Sequence, residues 1–145
     1  MNGYLGMEEE TAQTIRAGWL RTGDIGLVDA DGFLYVKDRL RDVVITGGFN
    51  VYPSDVEAVL AQHPAVSEVV FGVPDDHWGE RVEAALELRQ SHHATQDDLV
   101  GWCKERLGSV KTPKTVHIVE TLPRSPMGKV LQRESRALVI EGRVR

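Results

Sequence analysis

The apolar positions of this chain change period several times along its length. At the start, "EEETAQTIRAG" offers a short helix and "GWLRTGDIGLV" leads into a hairpin. "DADG" then separates the apolar runs "IGLV" and "FLYV", a turn tetrapeptide between two strand-forming segments. Residues 1–40 are rich in turns and make a poor core by themselves. From about Arg41 the pattern alternates. It predicts a strand over 42–46, a helix over 54–62 and strands over 66–73 and 81–88. A helix over 96–107 with Thr95 as its N-cap, a strand near 115–119 and a terminal helix from about Val130 complete it. Two or three strands packed against helices predict a small α+β domain.

Residues 38–57, "DRLRDVVITGGFNVYPSDVE", concentrate several signals. Val43, Val44 and Ile45 are β-branched and suit a short buried strand. Gly47 and Gly48 permit positive φ and close approach of a ligand to the backbone, so "GGFNVYP" reads as a ligand-facing loop. Pro53 and Ser54 open a helix in which Val56, Val59 and Leu60 recur at helical spacing. Asp55 and Glu57 fall in its first turn, where the dipole favours acids.

Composition narrows the function classes. The 145 residues suffice for one domain that buries roughly 68 to 70% of its extended surface. A net charge of -5 and a pI near 5.5 argue against a general nucleic-acid or membrane-surface binder. Cys103, the one cysteine, can form neither an internal disulfide nor a metal site and is expected in the core. The longest apolar runs are far shorter than the roughly 18 residues of a membrane span, and no signal peptide is seen. Cytoplasmic residence is the expectation.

Chemistry is carried by few residues. Asp24, in "TGDIG", can accept two hydrogen bonds from vicinal hydroxyls such as those of a ribose, or can merely organise its turn. Arg39 could meet the same ribose or a phosphate, or form a surface ion pair with Asp38 or Asp42. Lys129 follows a glycine in "LPRSPMGKVLQR", where an ammonium on a loop tip could stabilise charge developing on a carboxylate or phosphate oxygen. A solvated lysine is the competing reading, and no phosphate-cradling G-x-x-x-x-G-K-[ST] spacing is present. His63 precedes Pro64 at a helix end and suits a capping role. His92 and His93 lie in the polar loop "RQSHHATQ" without ligand spacing. His77 and Trp78 share "PDDHWGERV", where the indole either stacks on a ligand or covers the core. No G-x-S-x-G elbow exists.

The ordered set "GWLRTGDIG", "DRLRDVVITGGFNVYPSDVE", "VFGVPDDHWGERV" and "LPRSPMGKVLQR" closely resembles the C-terminal part of the adenylate-forming (AMP-binding) acyl-CoA synthetases, or fatty-acid-CoA ligases. The resemblance runs from "NGYLG" to about Arg136. It implies ATP-dependent activation of a carboxylic acid to an acyl-adenylate, then transfer of the acyl group to CoA with loss of AMP. Mg2+ would accompany ATP, both held mainly by a larger N-terminal AMP-binding domain. On this resemblance, residues 1–40 are the residual tail of that domain and 41–145 are a mobile lid that rotates between half-reactions.

Site roles follow from the same resemblance. Asp24 would bind the ribose hydroxyls of ATP with help from Arg39, and Arg41 would occupy the hinge. Lys129 would contact the carboxylate and α-phosphate during adenylation, whereas Gly47, Gly48 and Phe49 would line the pantetheine tunnel after rotation. The hinge position more often carries Asp or Lys, and Arg41 keeps only the charge of the lysine type. Asn50 fits the acyl-CoA-synthetase form of the loop. Everything the family carries upstream of "NGYLG" is absent, so a truncation, an isolated domain or a fragmentary gene is expected, inactive alone. A stand-alone binding module and an enzyme that loads a carrier-protein phosphopantetheine are the alternatives. The setting of Lys129 also resembles that in which lysine acetyltransferases silence this family.

Overall fold

The structure, a computed structural model, describes residues 1–64, 66–89 and 93–142. Of the expected polar loop, Gln90, Ser91 and His92 lie outside the described residues, and His93 is exposed. The chain divides into two compact units, Met1–Arg41 and Asp42–Arg145.

The first unit holds a short helix and two hairpins. Helix α1 (Glu8–Thr14) leads into β1 (Ile15–Arg16), which turns through Ala17 and Gly18, at φ 51° and 82°, to β2 (Trp19–Leu20). Two successive positive φ values are the signature of the tight two-residue hairpin. Strands β3 (Asp24–Val28) and β4 (Leu34–Arg39) form the hairpin expected around "DADG". Its loop closes by Asp29 N–H to Phe33 O at 3.1 Å and Gly32 N–H to Asp29 O at 3.1 Å. The Asp29 carboxylate accepts the Phe33 and Asp31 amides, and the first of these chiefly holds its pKa below the usual range. No residue of this unit is buried, and Trp19 is 80% exposed.

The second unit is a five-stranded sheet with helices on both faces, the α+β class that the alternating pattern predicts. Its elements are β5 (Val44–Thr46), β6 (Phe49–Val51), α2 (Pro53–Leu60), β7 (Val66–Asp75), β8 (Gly79–Leu88), α3 (Gln96–Lys111), β9 (Thr115–Val119) and α4 (Gln132–Ile140). The sheet order is β6-β5-β8-β7. On the side of β8 away from β7, β9 pairs in parallel along Glu83 to Glu87, beyond the single register pair Thr46↔Gly79 that joins β5. Val82 to Leu86 are all buried, because both faces of this strand are covered. Alternation sends Val82, Ala84 and Leu86 into the larger core with Val56 and Leu60 of α2 and Leu99 and Cys103 of α3. Ala85 joins Phe71, Val73 and Leu122 in a smaller core against Val139 of α4. Cys103 is a packing residue, and burial pushes its thiol up to about 11.

Local chemistry explains the boundaries, including several that differ from expectation. Thr95 caps α3 reciprocally: its hydroxyl oxygen accepts the Asp98 N–H at 3.2 Å, and the Asp98 carboxylate accepts the Thr95 N–H at 3.0 Å. Gly108, at φ 72° and ψ 175°, breaks the helical backbone of α3, so the regular part ends where the sequence predicts. Helix α4 begins at Gln132 because Val130 pairs with Arg124 and the Leu131 N–H bonds to Pro123 O. Strand β5 is half-buried, with Ile45 outward between buried Val44 and Thr46. Glu57 reaches across to accept the Val70 N–H at 3.0 Å, an interaction beyond the local dipole. The segment read as a loop after the glycine pair is β6.

Candidate functional site

Asp24 and Arg39 stand directly opposite each other at the open end of the β3–β4 hairpin. Arg39 Nε donates to Asp24 Oδ1 at 2.9 Å, so the partner of the guanidinium is Asp24 rather than the Asp38 or Asp42 of the surface-pair alternative. The Arg39 side chain is 57% exposed and that of Asp24 is 29% exposed. The Asp24 N–H bonds to Thr22 Oγ1, and the Leu40 N–H bonds to Gly23 O at 2.8 Å, which fixes the turn entering the strand. A carboxylate held this way presents acceptors on a rigid edge. Arg41 lies in the 3-10 turn Leu40–Asp42, at the last residue of the first unit.

Gly47 and Gly48 form a two-residue turn between β5 and β6, at φ 54° and 81°. The Trp78 backbone and ring both hold it. Gly47 N–H donates to Trp78 O at 2.9 Å, and a β-carbon on Gly47 would stand 2.8 Å from Trp78 Cε3. Close approach of a ring, together with positive φ, is the physical reason for glycine here. The Glu80 carboxylate accepts the Ile45 N–H at 2.9 Å, a side-chain substitute for a ladder bond. Phe49 is exposed beside the turn. Trp78 thus covers the glycine turn and is half-exposed, while Asp75 organises its loop by accepting the Trp78 and His77 amides, which lower the Asp75 pKa.

Lys129 follows a three-residue loop, Pro126 to Gly128. Ser125 N–H donates to Lys129 O and Gly128 N–H to Ser125 O, both at 2.8 Å, with Gly128 at φ 81°. The same pair of bonds closes "DADGF" in the first unit, so "SPMGK" repeats that turn with Ser125 in place of Asp29 and Lys129 in place of Phe33. Ser125 Oγ accepts the Lys129 N–H at 3.2 Å, as the Asp29 carboxylate accepts that of Phe33. This shared spacing was the signal available in the sequence for a tight hairpin turn here. Lys129 itself is exposed.

The two candidate elements of the second unit are attached to opposite ends of one strand. The glycine turn is joined at Gly79, the first residue of β8. The lysine turn is joined through Arg124 to Glu87, eight residues further along and roughly 27 Å away at the ordinary strand rise. His63 lies edge-on to Trp102 with centroids 5.1 Å apart, and its N–H bonds to Leu60 O at the end of α2. Among the described residues, no group of three His, Cys, Asp or Glu could hold a metal ion, and no helix is long and apolar enough to cross a membrane.

Comparison with known proteins places this fold. The AMP-binding enzyme C-terminal domain family matches residues 55–129. The chain belongs to this family, as the four motifs imply. It is 46% identical over 140 residues to 2-succinylbenzoate–CoA ligase of Bacillus cereus, spanning 96% of this chain and 29% of that protein. Medium/long-chain-fatty-acid–CoA ligase FadD8 of Mycobacterium tuberculosis is 43% identical over 148 residues, 97% of this chain and 26% of that protein. The amide bond synthetase McbA of Marinactinospora thermotolerans superposes with a TM-score of 0.85 at 40% identity, covering 94% of this chain and 28% of that one. The chain therefore spans under a third of the length of each relative.

Proposed function

We propose that this chain is the C-terminal part of an ATP-dependent acid–thiol ligase, in which residues 41–145 form a lid and residues 1–40 the tail of a larger AMP-binding domain. The carboxylate oxygen attacks the α-phosphorus of ATP and displaces pyrophosphate. A thiol then attacks the acyl carbon, loses its proton to solvent and releases AMP. Lys129 stabilises the charge that develops on the carboxylate and α-phosphate oxygens in the first step. Asp24, oriented by Arg39, accepts from the ribose hydroxyls. Gly47, Gly48 and Phe49 line the passage for the pantetheine arm of CoA in the second step, since a glycine turn lets a ligand come close to the backbone. Mg2+ finds no ligand cluster among the described residues and is assigned to the larger domain.

One observation carries this reading: Lys129 and the glycine turn are attached to opposite ends of β8, so they would serve one reaction centre in turn rather than together. Rotation about Arg41, at the boundary between the units, would exchange them and gate the site against water. The tail assignment is supported by the exposed Trp19, Leu20, Phe33, Leu34 and Val36, an apolar surface of the kind that a larger domain covers. Two relatives named as CoA ligases favour CoA as acceptor. The likeness to an amide bond synthetase favours an amine as the second reading, which product analysis with CoA or an amine separates.

Carboxylate-dependent pyrophosphate release, measured after adding the large domain of a relative, tests the proposal. The expected result is activity that needs both parts and is lost in Lys129→Ala; full activity of that variant sinks the assignment. Exposed Lys129 is also proposed as a target for a lysine acetyltransferase, since acetylation would erase its charge. Intact mass of chain from its native host would show a shift of one acetyl group, and its absence under every growth condition counts against this.

A further inference from the structure

The turn that carries Lys129 has an anchor made of two charged residues with no role assigned above. Glu87 stands near the end of β8, where its carboxylate forks: Oε1 accepts the Leu122 N–H and Oε2 accepts Arg124 Nη2 at 2.9 Å. Arg124 Nη1 donates in turn to the Gly128 carbonyl at 3.2 Å. That carbonyl belongs to the same peptide unit as the Lys129 N–H, which Ser125 Oγ holds at 3.2 Å. Guanidinium and hydroxyl therefore grip the Gly128–Lys129 peptide at its two polar ends.

We propose that Arg124, oriented by Glu87, is a positioning residue for Lys129 in adenylation; the inference rests on the role proposed for that lysine. A lysine stem is flexible, so where its Cα stands decides first what the ammonium can reach. Gly128 allows the left-handed backbone that closes the loop, but a glycine also leaves its peptide free to rotate. The bond from Arg124 removes that freedom and ties the peptide to the central strand. Glu87 keeps the guanidinium aimed, because Leu122 fixes the carboxylate from the other side. In Glu87→Gln an amide N–H faces the guanidinium, donor against donor, or the bond to Leu122 is lost. In Arg124→Lys one ammonium replaces a fork that reached two acceptors.

The experiment uses the assay above, with this chain supplied together with the large domain. Misplacement of a reacting group by about 1 Å costs on the order of 100-fold, so Arg124→Ala and Glu87→Gln are expected to lower kcat for pyrophosphate release by about 10- to 100-fold. KM for ATP should stay within about threefold, because the nucleotide is held elsewhere. Thioester formation from pre-formed acyl-adenylate should be unchanged, since Lys129 takes no part in it, and Arg124→Lys should recover only part of the loss. In the 145-residue chain alone, amide exchange at Ser125 and Lys129 should accelerate in both variants while Ala85 and Leu86 stay protected. Unchanged kcat in both variants beside an inactive Lys129→Ala overturns the inference alone, as does equal loss of both half-reactions. An active Lys129→Ala overturns the lysine's role and this inference with it, whatever the exchange data show about the clamp.

Discussion

Gly47 and Gly48 share one turn, yet a β-carbon would meet different surroundings at each. At Gly48 nothing lies within 4 Å, whereas at Gly47 the Trp78 ring stands 2.8 Å away. Both positions have positive φ, which costs a non-glycine residue about 1–2 kcal/mol. Gly48→Ala should lose about that much in urea unfolding, and Gly47→Ala clearly more, because the indole must also move; equal losses would contradict the packing described. Asp98 is a second test at this scale. Hydrogen bonds from the Thr95 side chain and backbone lower its pKa below the ordinary 3.8. A carboxyl depressed in the folded state stabilises the protein above its unfolded pKa, and that stability is lost as pH falls through the folded value. Urea midpoints should therefore drop below about pH 4, and Asp98→Asn should lower the midpoint at pH 6 while flattening this acid decline.

Elements read from periodicity were legible in proportion to how local their causes are. Thr95 and Asp98 announce α3, and Pro53 announces α2, because caps and first turns need only neighbours in sequence. Strand β6 was hidden, since three residues after a glycine pair form a strand only when β5 is there to pair with them. Glu83 looks like a surface residue in "GERVEAALEL", yet it is buried and bonded to Arg81 Nε at 2.5 Å and to His117 Nε2 at 2.8 Å. His117 arrives from β9, so no local pattern could reveal the partner. Asp24, Arg39, Gly47 and Lys129 could be picked out beforehand, but the Asp24–Arg39 pair, the Trp78 cover and the Glu87–Arg124 anchor depend on register and non-local packing. The β5–β6 hairpin gives a prediction here. It joins β8 through one register pair and the Glu80 carboxylate, so Glu80→Ala should speed amide exchange at Ile45 well before exchange in β7 and β8 rises.

At the scale of the whole molecule, buried side chains are confined to the second unit. Among the described residues, every buried one lies between Val44 and Ser135, and none lies in Met1–Arg41. Residues 42–145 expressed alone should therefore unfold cooperatively, with a urea m-value close to that of the 145-residue chain, because m follows the surface newly exposed. A gradual, non-cooperative melt would show that the first unit contributes core after all.

The repeated turn has a consequence for Lys129. "DADGF" and "SPMGK" close with the same two backbone bonds although one ends in phenylalanine and the other in lysine, so this architecture is indifferent to the side chain at its last position. Lys129→Ala should accordingly unfold at the same urea concentration as the parent chain, and a marked drop would show a structural duty. Where folding leaves a position unconstrained, it is the proposed chemistry that would keep a lysine there; on that proposal, a descendant that abandoned the reaction could let residue 129 drift while the domain stayed intact.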